Sequence, residues 1–264
     1  KHFAGKSLKV HLLIVHKLYA VNLFRLAANQ GGTEAQYLLG LMYRNGHGVV
    51  QSDEEAVKWY LIAAEKGNAN ALINLGCMYL NGCGIPKSDE EAFKWYSIAA
   101  EQGYPTAQFN LGWMYLNGCG IPKSDEEAFK WYQLAAEKDD TEAQFNLGQM
   151  YFYGFGIFQS DIEAVKWYLL AAEKAHTNAQ FNLGYMYEEG RGIAKDDVEA
   201  VKWYRFSAQK GYRCAQTKLG DMYQYGRGIN YLDIEQCYIQ AVNWYRLAAK
   251  QGDADAQYNL AKMY

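Results

Sequence analysis

The chain has 264 residues, half of them apolar, and includes 23 Tyr, 11 Phe and 7 Trp. A chain this rich in apolar and aromatic side chains can bury enough surface to fold, which excludes a disordered polar tract. Its formal charge of −3 at pH 7 provides no excess of basic side chains. We therefore expect neither a nucleic-acid partner nor binding to an anionic membrane.

Residues 1–32 are predicted to form degenerate N-terminal cap helices. The longest apolar run there, Leu12 to Val15, is far shorter than the ~18 residues of a membrane-spanning helix, so we expect no membrane insertion. Residues 1–30 also lack the pattern of a secretory signal peptide. Because the chain begins at Lys1 and not at Met, we expect a processed or truncated segment. Its compartment stays open, with bacterial cytoplasm, periplasm or secretion all compatible.

After the cap, three sequence markers recur in phase every 36 residues. They are a Trp-Tyr pair, a Leu-Gly pair and a G-x-G element, and the Trp of the first marker occupies positions 59, 95, 131, 167 and 203. A fixed period of this length is typical of repeat architectures. The markers predict one domain, residues 1–264, in which the cap is followed by six repeats and a truncated last helix. The repeats are 33–68, 69–104, 105–140, 141–176, 177–212 and 213–253, and the last helix is 254–264.

Each repeat has the pattern of two helices, as the third repeat shows. Leu111 and Met114 belong to an apolar stripe at helical spacing, which predicts a helix A that ends at Gly118. Ser124 and Glu127 form an S-x-x-E capping box, in which both side chains would satisfy backbone amides at the start of a helix B. The pattern therefore predicts an all-α solenoid of helix-turn-helix repeats. The same box occurs at Ser52/Glu55, Ser88/Glu91 and Ser160/Glu163.

The sixth repeat departs from this period. Fifteen steps separate Ile229 from Trp244, whereas ten separate Ile193 from Trp203. Five extra residues therefore lie between Asn230 and Gln240, and they either lengthen helix B or enlarge the loop before it. The final helix stops before its G-x-G element, so we expect the parent protein to continue.

Motifs for catalysis, metal binding and cofactor binding do not emerge from the repeats. The five histidines form no H-E-x-x-H pattern, and the G-x-G elements do not extend to a nucleotide-binding G-x-G-x-x-G. The five cysteines form no C-x-x-C pair and are expected to be free thiols. We therefore expect no enzymatic activity, no metal and no cofactor.

The full repeat motif matches a known family. The string A-Q-F-N-L-G-x-M-Y-x-x-G-x-G-I, followed by S-D-E-E-A-x-K-W-Y-x-x-A-A-E-x-G, resembles the SEL-1-like repeat (SLR) family, a relative of the tetratricopeptide repeats, over residues 20–264. The resemblance implies a right-handed α/α superhelix of antiparallel helix pairs. It also implies the family's usual role as an adaptor or scaffold that binds other proteins.

One position varies freely among repeats, and it directly follows the Leu-Gly pair. If the tetratricopeptide geometry carries over, this position faces the concave groove of the superhelix, where a partner would contact it. We therefore predict Trp113, Gln149 and Tyr185 as partner-binding residues, since large aromatic side chains often anchor interfaces. Packing against the next helix and plain solvation are the alternatives. The complete row is Leu41, Cys77, Trp113, Gln149, Tyr185 and Asp221.

A second predicted binding row consists of the asparagines that precede Leu-Gly. In related repeats an asparagine here faces the groove, and its amide can both donate and accept hydrogen bonds to the backbone of an extended peptide. The alternative is that these amides join neighbouring repeats. The row comprises Asn74, Asn110, Asn146 and Asn182, with Asn259 in the last helix.

Together these observations predict a monomeric, non-enzymatic scaffold that binds a protein or peptide partner. The partner, a peptide or a helix, would lie in the concave groove. A cell-wall or glycan-related binding protein, or a hydrolase, is the alternative function.

Overall fold

The structure is a computed structural model and describes residues 19–229 and 233–264, which form fourteen helices and no strand. Helix α1 is described over residues 19–29, so the predicted cap lies partly outside the described residues. Even-numbered helices are the A helices of the repeats, and odd-numbered helices are the B helices. The remaining helices are α2 Thr33–Asn45, α3 Asp53–Glu65, α4 Ala69–Asn81, α5 Asp89–Glu101, α6 Pro105–Asn117, α7 Asp125–Glu137, α8 Thr141–Tyr153, α9 Asp161–Glu173, α10 Thr177–Glu189, α11 Asp197–Gln209, α12 Arg213–Gln224, α13 Ile234–Lys250 and α14 Ala254–Lys262.

The chain divides into two compact units between Trp131 and Tyr132. In the first unit, α2 packs on α3, α3 on α4, α4 on α5 and α5 on α6. In the second unit, each helix from α8 to α13 packs on the helix that follows it. This regular succession confirms the predicted all-α fold of tandem helix pairs. The handedness of the superhelix and the division into repeats stay predictions.

The core of each repeat is organised by the Tyr of the Trp-Tyr pair and the Gly of the Leu-Gly pair. Tyr60 in α3 and Tyr168 in α9 are fully buried, and each lies against a glycine of the preceding A helix. A Cβ atom on Gly40 would lie 2.7 Å from the Tyr60 ring, and one on Gly148 would lie 2.7 Å from the Tyr168 ring. The glycine is therefore required by the close approach of the ring, a reason that the period alone does not reveal.

The tryptophans of the Trp-Tyr pairs are less buried than their neighbours. Trp203 is buried, whereas Trp59, Trp95 and Trp167 are only half-buried. The repeat pattern alone does not distinguish the two aromatic residues. In the structure the tyrosine is the central core residue, and the tryptophan covers the core at its edge.

The capping box at Ser88 shows one of its two predicted hydrogen bonds and lacks the other. The Ser88 hydroxyl accepts a hydrogen bond of 3.2 Å from the Glu91 amide, as expected for an N-cap. The Glu91 carboxylate, however, lies 3.4 Å from Lys94 and does not bond back to Ser88. The reason is that the Ser88 amide already donates to the Tyr79 carbonyl at 3.0 Å. The reciprocal half of the box is therefore wrong for this repeat.

The extra residues of the sixth repeat lengthen its B helix. Helix α13, Ile234–Lys250, has 17 residues, whereas the B helix α11 has 13. This confirms one of the two predicted outcomes. Residues 230–232, at the start of the insertion, lie outside the described residues.

Neighbouring repeats are joined by buried glutamines. Gln108 of α6 donates 3.2 Å to the Ala100 carbonyl near the end of α5, and Gln180 of α10 donates 3.1 Å to the Ala172 carbonyl of α9. Each bond ties an A helix to the C-terminal turn of the preceding B helix, where carbonyl groups lack helical partners. In the second repeat Leu72 occupies this position. The repeat pattern alone predicts no role for this glutamine.

Candidate functional site

The predicted binding positions lie on the A helices, and they differ in exposure. The Trp113 side chain is 38% exposed, although Leu111 and Met114 on the same helix are fully buried. Gln149 and Tyr185 are half-buried. Each A helix has one side chain directly after Leu-Gly and another three positions further along the chain. We call the surface formed by these two positions the A-helix face. Trp113 belongs to this face in the first unit, and Gln149 and Tyr185 belong to it in the second.

Contacts along this face connect successive A helices within each unit. In the first unit, the Arg44 guanidinium of α2 lies 4.0 Å from the Cys77 sulfur of α4. In the second unit, the rings of Phe152 in α8 and Tyr185 in α10 lie 6.4 Å apart, edge to face. A side chain three residues after the variable position therefore meets the variable side chain of the next A helix.

The predicted asparagine row is half-buried and does not behave uniformly. Asn146 donates 2.8 Å to the Glu142 carbonyl of its own helix. Asn259 donates 3.1 Å to Asp221 of the A helix before it. Asn182 lies beside Tyr168. Burial raises the pKa of Tyr168, and a hydrogen bond with Asn182 offsets part of that rise. These contacts agree with the alternative of a structural role for part of the row. For Asn74 and Asn110 the structure shows the same half-buried setting.

A cavity of about 420 Å³ lies in the second unit, and we call it the Tyr185 cavity. Asn182 and Tyr185, both predicted as partner-binding residues, line it together. Arg191 and Lys218 supply two positive charges to the lining, and Met186 adds apolar surface. Its size falls within the roughly 300–1,000 Å³ of pockets that hold small ligands. The aromatic rings of the lining are Phe152, Tyr153, Tyr168, Phe181 and Tyr185.

Arg191 is held firmly at the cavity. Its guanidinium makes two hydrogen bonds to the Asp161 carboxylate, of 3.0 and 2.7 Å, and lies 4.2 Å from the centre of the Phe152 ring. The hydrogen bonds to Asp161 raise the pKa of Arg191. The bidentate pair and the ring stacking fix both the charge and the plane of this side chain.

Lys218 belongs to a charged cluster beside the cavity. The buried Glu188 carboxylate accepts hydrogen bonds from the Tyr204 hydroxyl at 2.6 Å and from Arg227 at 2.9 Å, and it lies 3.2 Å from the Lys218 amine. Burial alone would raise the pKa of Glu188. The Tyr204 hydrogen bond and the Lys218 charge outweigh burial, so the pKa is lowered. The Glu188 carboxylate therefore contacts three donor groups, those of Tyr204, Lys218 and Arg227.

Eight segments of the sequence match the Sel1 repeat model. The matches cover residues 17–32, 33–68, 69–104, 105–140, 141–176, 177–212, 215–253 and 254–264. The chain belongs to the Sel1 repeat family. Sel1 repeats commonly form protein-interaction scaffolds and are generally non-catalytic.

Two solved structures of Sel1 repeat proteins resemble this chain closely. A protective antigen present in uropathogenic Escherichia coli strains, which displays an SLR fold, is 34% identical with a TM-score of 0.82 over 92% of this chain. The Sel1 repeat chain spans only 59% of that antigen's length. A Sel1 repeat protein from Oxalobacter formigenes is 33% identical with a TM-score of 0.70, over 87% of this chain and 96% of its own length. A search of the curated proteins gave no significant match.

Two residues of the Tyr185 cavity in this Sel1 protein were missed by sequence reasoning. Lys218 occupies the position that holds asparagine in the predicted row, and Arg191 occupies the middle position of a G-x-G element. Lys218 departs from the repeat pattern, and that departure is a signal that could have found it. The middle position of the G-x-G element varies among the repeats, so it gives no such signal for Arg191. Among the described residues, no group of three His, Cys, Asp or Glu side chains could hold a metal ion. No described helix of this Sel1 protein is long and apolar enough to cross a membrane.

Proposed function

We propose that this Sel1 repeat chain is a non-enzymatic scaffold that binds a peptide or helix of a protein partner on its A-helix face. The observation that carries the proposal is Trp113. Its large side chain is 38% exposed, whereas Leu111 and Met114 on the same helix are fully buried. Tryptophan and tyrosine are enriched among the residues that dominate binding energy at interfaces, so an exposed Trp at a variable repeat position suits an anchor.

The second unit supports the proposal independently. Tyr185, at the same repeat position as Trp113, lines the Tyr185 cavity beside Asn182. The cavity thus joins one residue from each of the two predicted rows. A partner side chain that entered it would meet aromatic surface and the Asn182 amide together.

A pull-down tests the proposal, with the purified chain as bait and an extract of the source organism's cells as the supply of the partner. The double variant Trp113→Ala with Tyr185→Ala removes one anchor from each unit. The matched control is Ile98→Ala with Leu170→Ala, which removes side chains of similar exposure, 36% and 40%, from B helices in the same two units. We expect the first variant to lose the partner and the control to keep it. Recovery of the same partner by both variants in equal amounts would contradict the proposal.

A further inference from the structure

The Tyr185 cavity is chemically specialised when it is compared with the same repeat positions elsewhere. Three repeats earlier, in the first unit, Phe152 and Tyr185 correspond to Arg44 and Cys77. Arg191 and Lys218 correspond to Cys83 and Asn110. Packing of the repeat does not require these aromatic and basic side chains, because other repeats fold without them. Their combination gives this cavity a lining of aromatic and basic side chains that the corresponding positions of the first unit do not have.

The charge that the cavity presents to a partner is positive. Lys218 is 35% exposed, whereas its ion-pair partner Glu188 is 6% exposed. Arg191 and Lys218 line the cavity, whereas Asp161 and Glu188, the carboxylates that hold them, do not. Glu188 is thus buried beside Lys218, whereas Asp161, with 28% of its side chain exposed, is about as accessible as Arg191 at 30%. A group that enters the cavity meets the aromatic rings and the two cations that line it.

Lys218 is held less tightly than Arg191 by its neighbours. Its amine lies 3.2 Å from Glu188, whose oxygens already accept shorter hydrogen bonds from Tyr204 and Arg227. A lysine amine has three donors and a flexible stem, so it can turn to another carboxylate at low cost. Arg191, held by its bidentate pair and by Phe152, offers a fixed charge at the aromatic wall.

We infer that the Tyr185 cavity receives an acidic segment of the partner, with an aromatic or aliphatic side chain between the rings and a neighbouring Asp or Glu carboxylate on Lys218. This inference rests on the proposed scaffold function and names the chemistry of its partner. The two cations in the lining disfavour an ammonium or guanidinium group, since like charges repel each other. An apolar anchor with an adjoining carboxylate satisfies both parts of the lining.

The test uses the full chain and a phage-displayed library of random dodecapeptides as the probe. We expect the enriched peptides to place Asp or Glu beside an aromatic or aliphatic residue. Their affinity should fall as salt is added, because salt screens exposed charge pairs. Enriched peptides without an acidic excess would overturn the inference, and so would a selection that enriches no peptide.

A single substitution then assigns the charge. Lys218→Asn places at this position the residue that Asn182 and its equivalents hold in other repeats, so the fold should persist, which circular dichroism checks. We expect the dissociation constant of the best peptide to rise roughly three- to tenfold for Lys218→Asn. The control, Lys202→Asn, changes the charge equally on a B helix, where Lys202 pairs with Glu199, and should leave the constant unchanged.

The outcomes separate this inference from the proposed function. If Lys218→Asn binds the peptide as tightly as the wild-type chain, the inference is wrong. The scaffold proposal is judged separately, by whether Trp113→Ala with Tyr185→Ala loses the cellular partner. If the double variant loses the partner but Lys218→Asn leaves peptide binding unchanged, the scaffold proposal is supported and the acidic segment is excluded.

Discussion

The hydroxyl of Tyr204 donates a hydrogen bond of 2.6 Å to the buried Glu188 carboxylate. Tyr204 is the core tyrosine of α11, and Glu188 lies near the end of α10, so the bond joins the two helices of one repeat. The same carboxylate accepts from Arg227, which follows the next A helix. One core tyrosine is thereby coupled to the charged cluster beside the Tyr185 cavity.

Removing that hydroxyl should destabilise the protein. A hydrogen bond to a charged group contributes about 1.5–3 kcal/mol, so we expect Tyr204→Phe to lower the free energy of unfolding by about 2 kcal/mol in urea denaturation. The control is Tyr96→Phe, because no described residue hydrogen-bonds to the Tyr96 hydroxyl. A Tyr204→Phe loss no larger than that of Tyr96→Phe would mean that the bond to Glu188 adds nothing.

Alkaline pH should unfold the chain through its core tyrosines. Burial raises the pKa of Tyr60 from 10.0 to about 12, and it raises the pKa values of Tyr96 and Tyr168 as well. In the unfolded chain these hydroxyls lose their protons near pH 10, whereas in the folded chain they stay protonated. The unfolded state therefore binds fewer protons, and the free energy of unfolding falls as pH rises above 10.

The measurement is helicity by circular dichroism, followed with tyrosinate absorbance as pH is raised. We expect the last tyrosines to ionise together with the loss of helix. Complete ionisation of all tyrosines with helicity unchanged would contradict the burial of these hydroxyls.

The repeat period predicted the helices, their order and the glycines at which the A helices end, because the same residue types recur at the same positions in every repeat. It could not predict which partner a side chain finds in the next repeat. Glu91 illustrates this: its spacing from Ser88 fits a capping box, yet the Tyr79 carbonyl of the preceding A helix takes the amide that Glu91 would have satisfied. Likewise, the contact of Phe152 with Tyr185 depends on how two A helices pack, which residue spacing does not encode.

The two halves of the cap should therefore differ in their contribution to stability. Ser88→Ala removes the acceptor of the Glu91 amide and should lower the free energy of unfolding by about 1 kcal/mol. Glu91→Ala leaves that bond intact and removes only an exposed pair with Lys94, so its cost should be below about 0.5 kcal/mol. Equal losses for the two variants in chemical denaturation would favour a reciprocal capping box.

The glutamine that joins neighbouring repeats should be replaceable by leucine. Gln108→Leu loses one bond to the Ala100 carbonyl, but that carbonyl still accepts from the Gly103 amide at 2.9 Å. The substitution also removes the buried Gln108 Oε1, which has no hydrogen-bond partner in the described residues. With Leu72 already filling this position in the second repeat, we expect a change within about 1 kcal/mol in unfolding free energy. Gln108→Ala, which leaves a cavity, should cost about 2 kcal/mol, and a Gln108→Leu loss as large as that would contradict the expectation.

Site-specific photo-crosslinking tests the central claim, that the partner binds the A-helix face, most directly. A photo-crosslinking amino acid is placed either at Gln149, on the A helix α8, or at Leu170, on the B helix α9 of the same unit. The chain is then irradiated in the cells that supply the partner. We predict a covalent adduct with the partner from position 149 and none from position 170. An adduct from position 170 alone, or equal adducts from both positions, would contradict binding on the A-helix face.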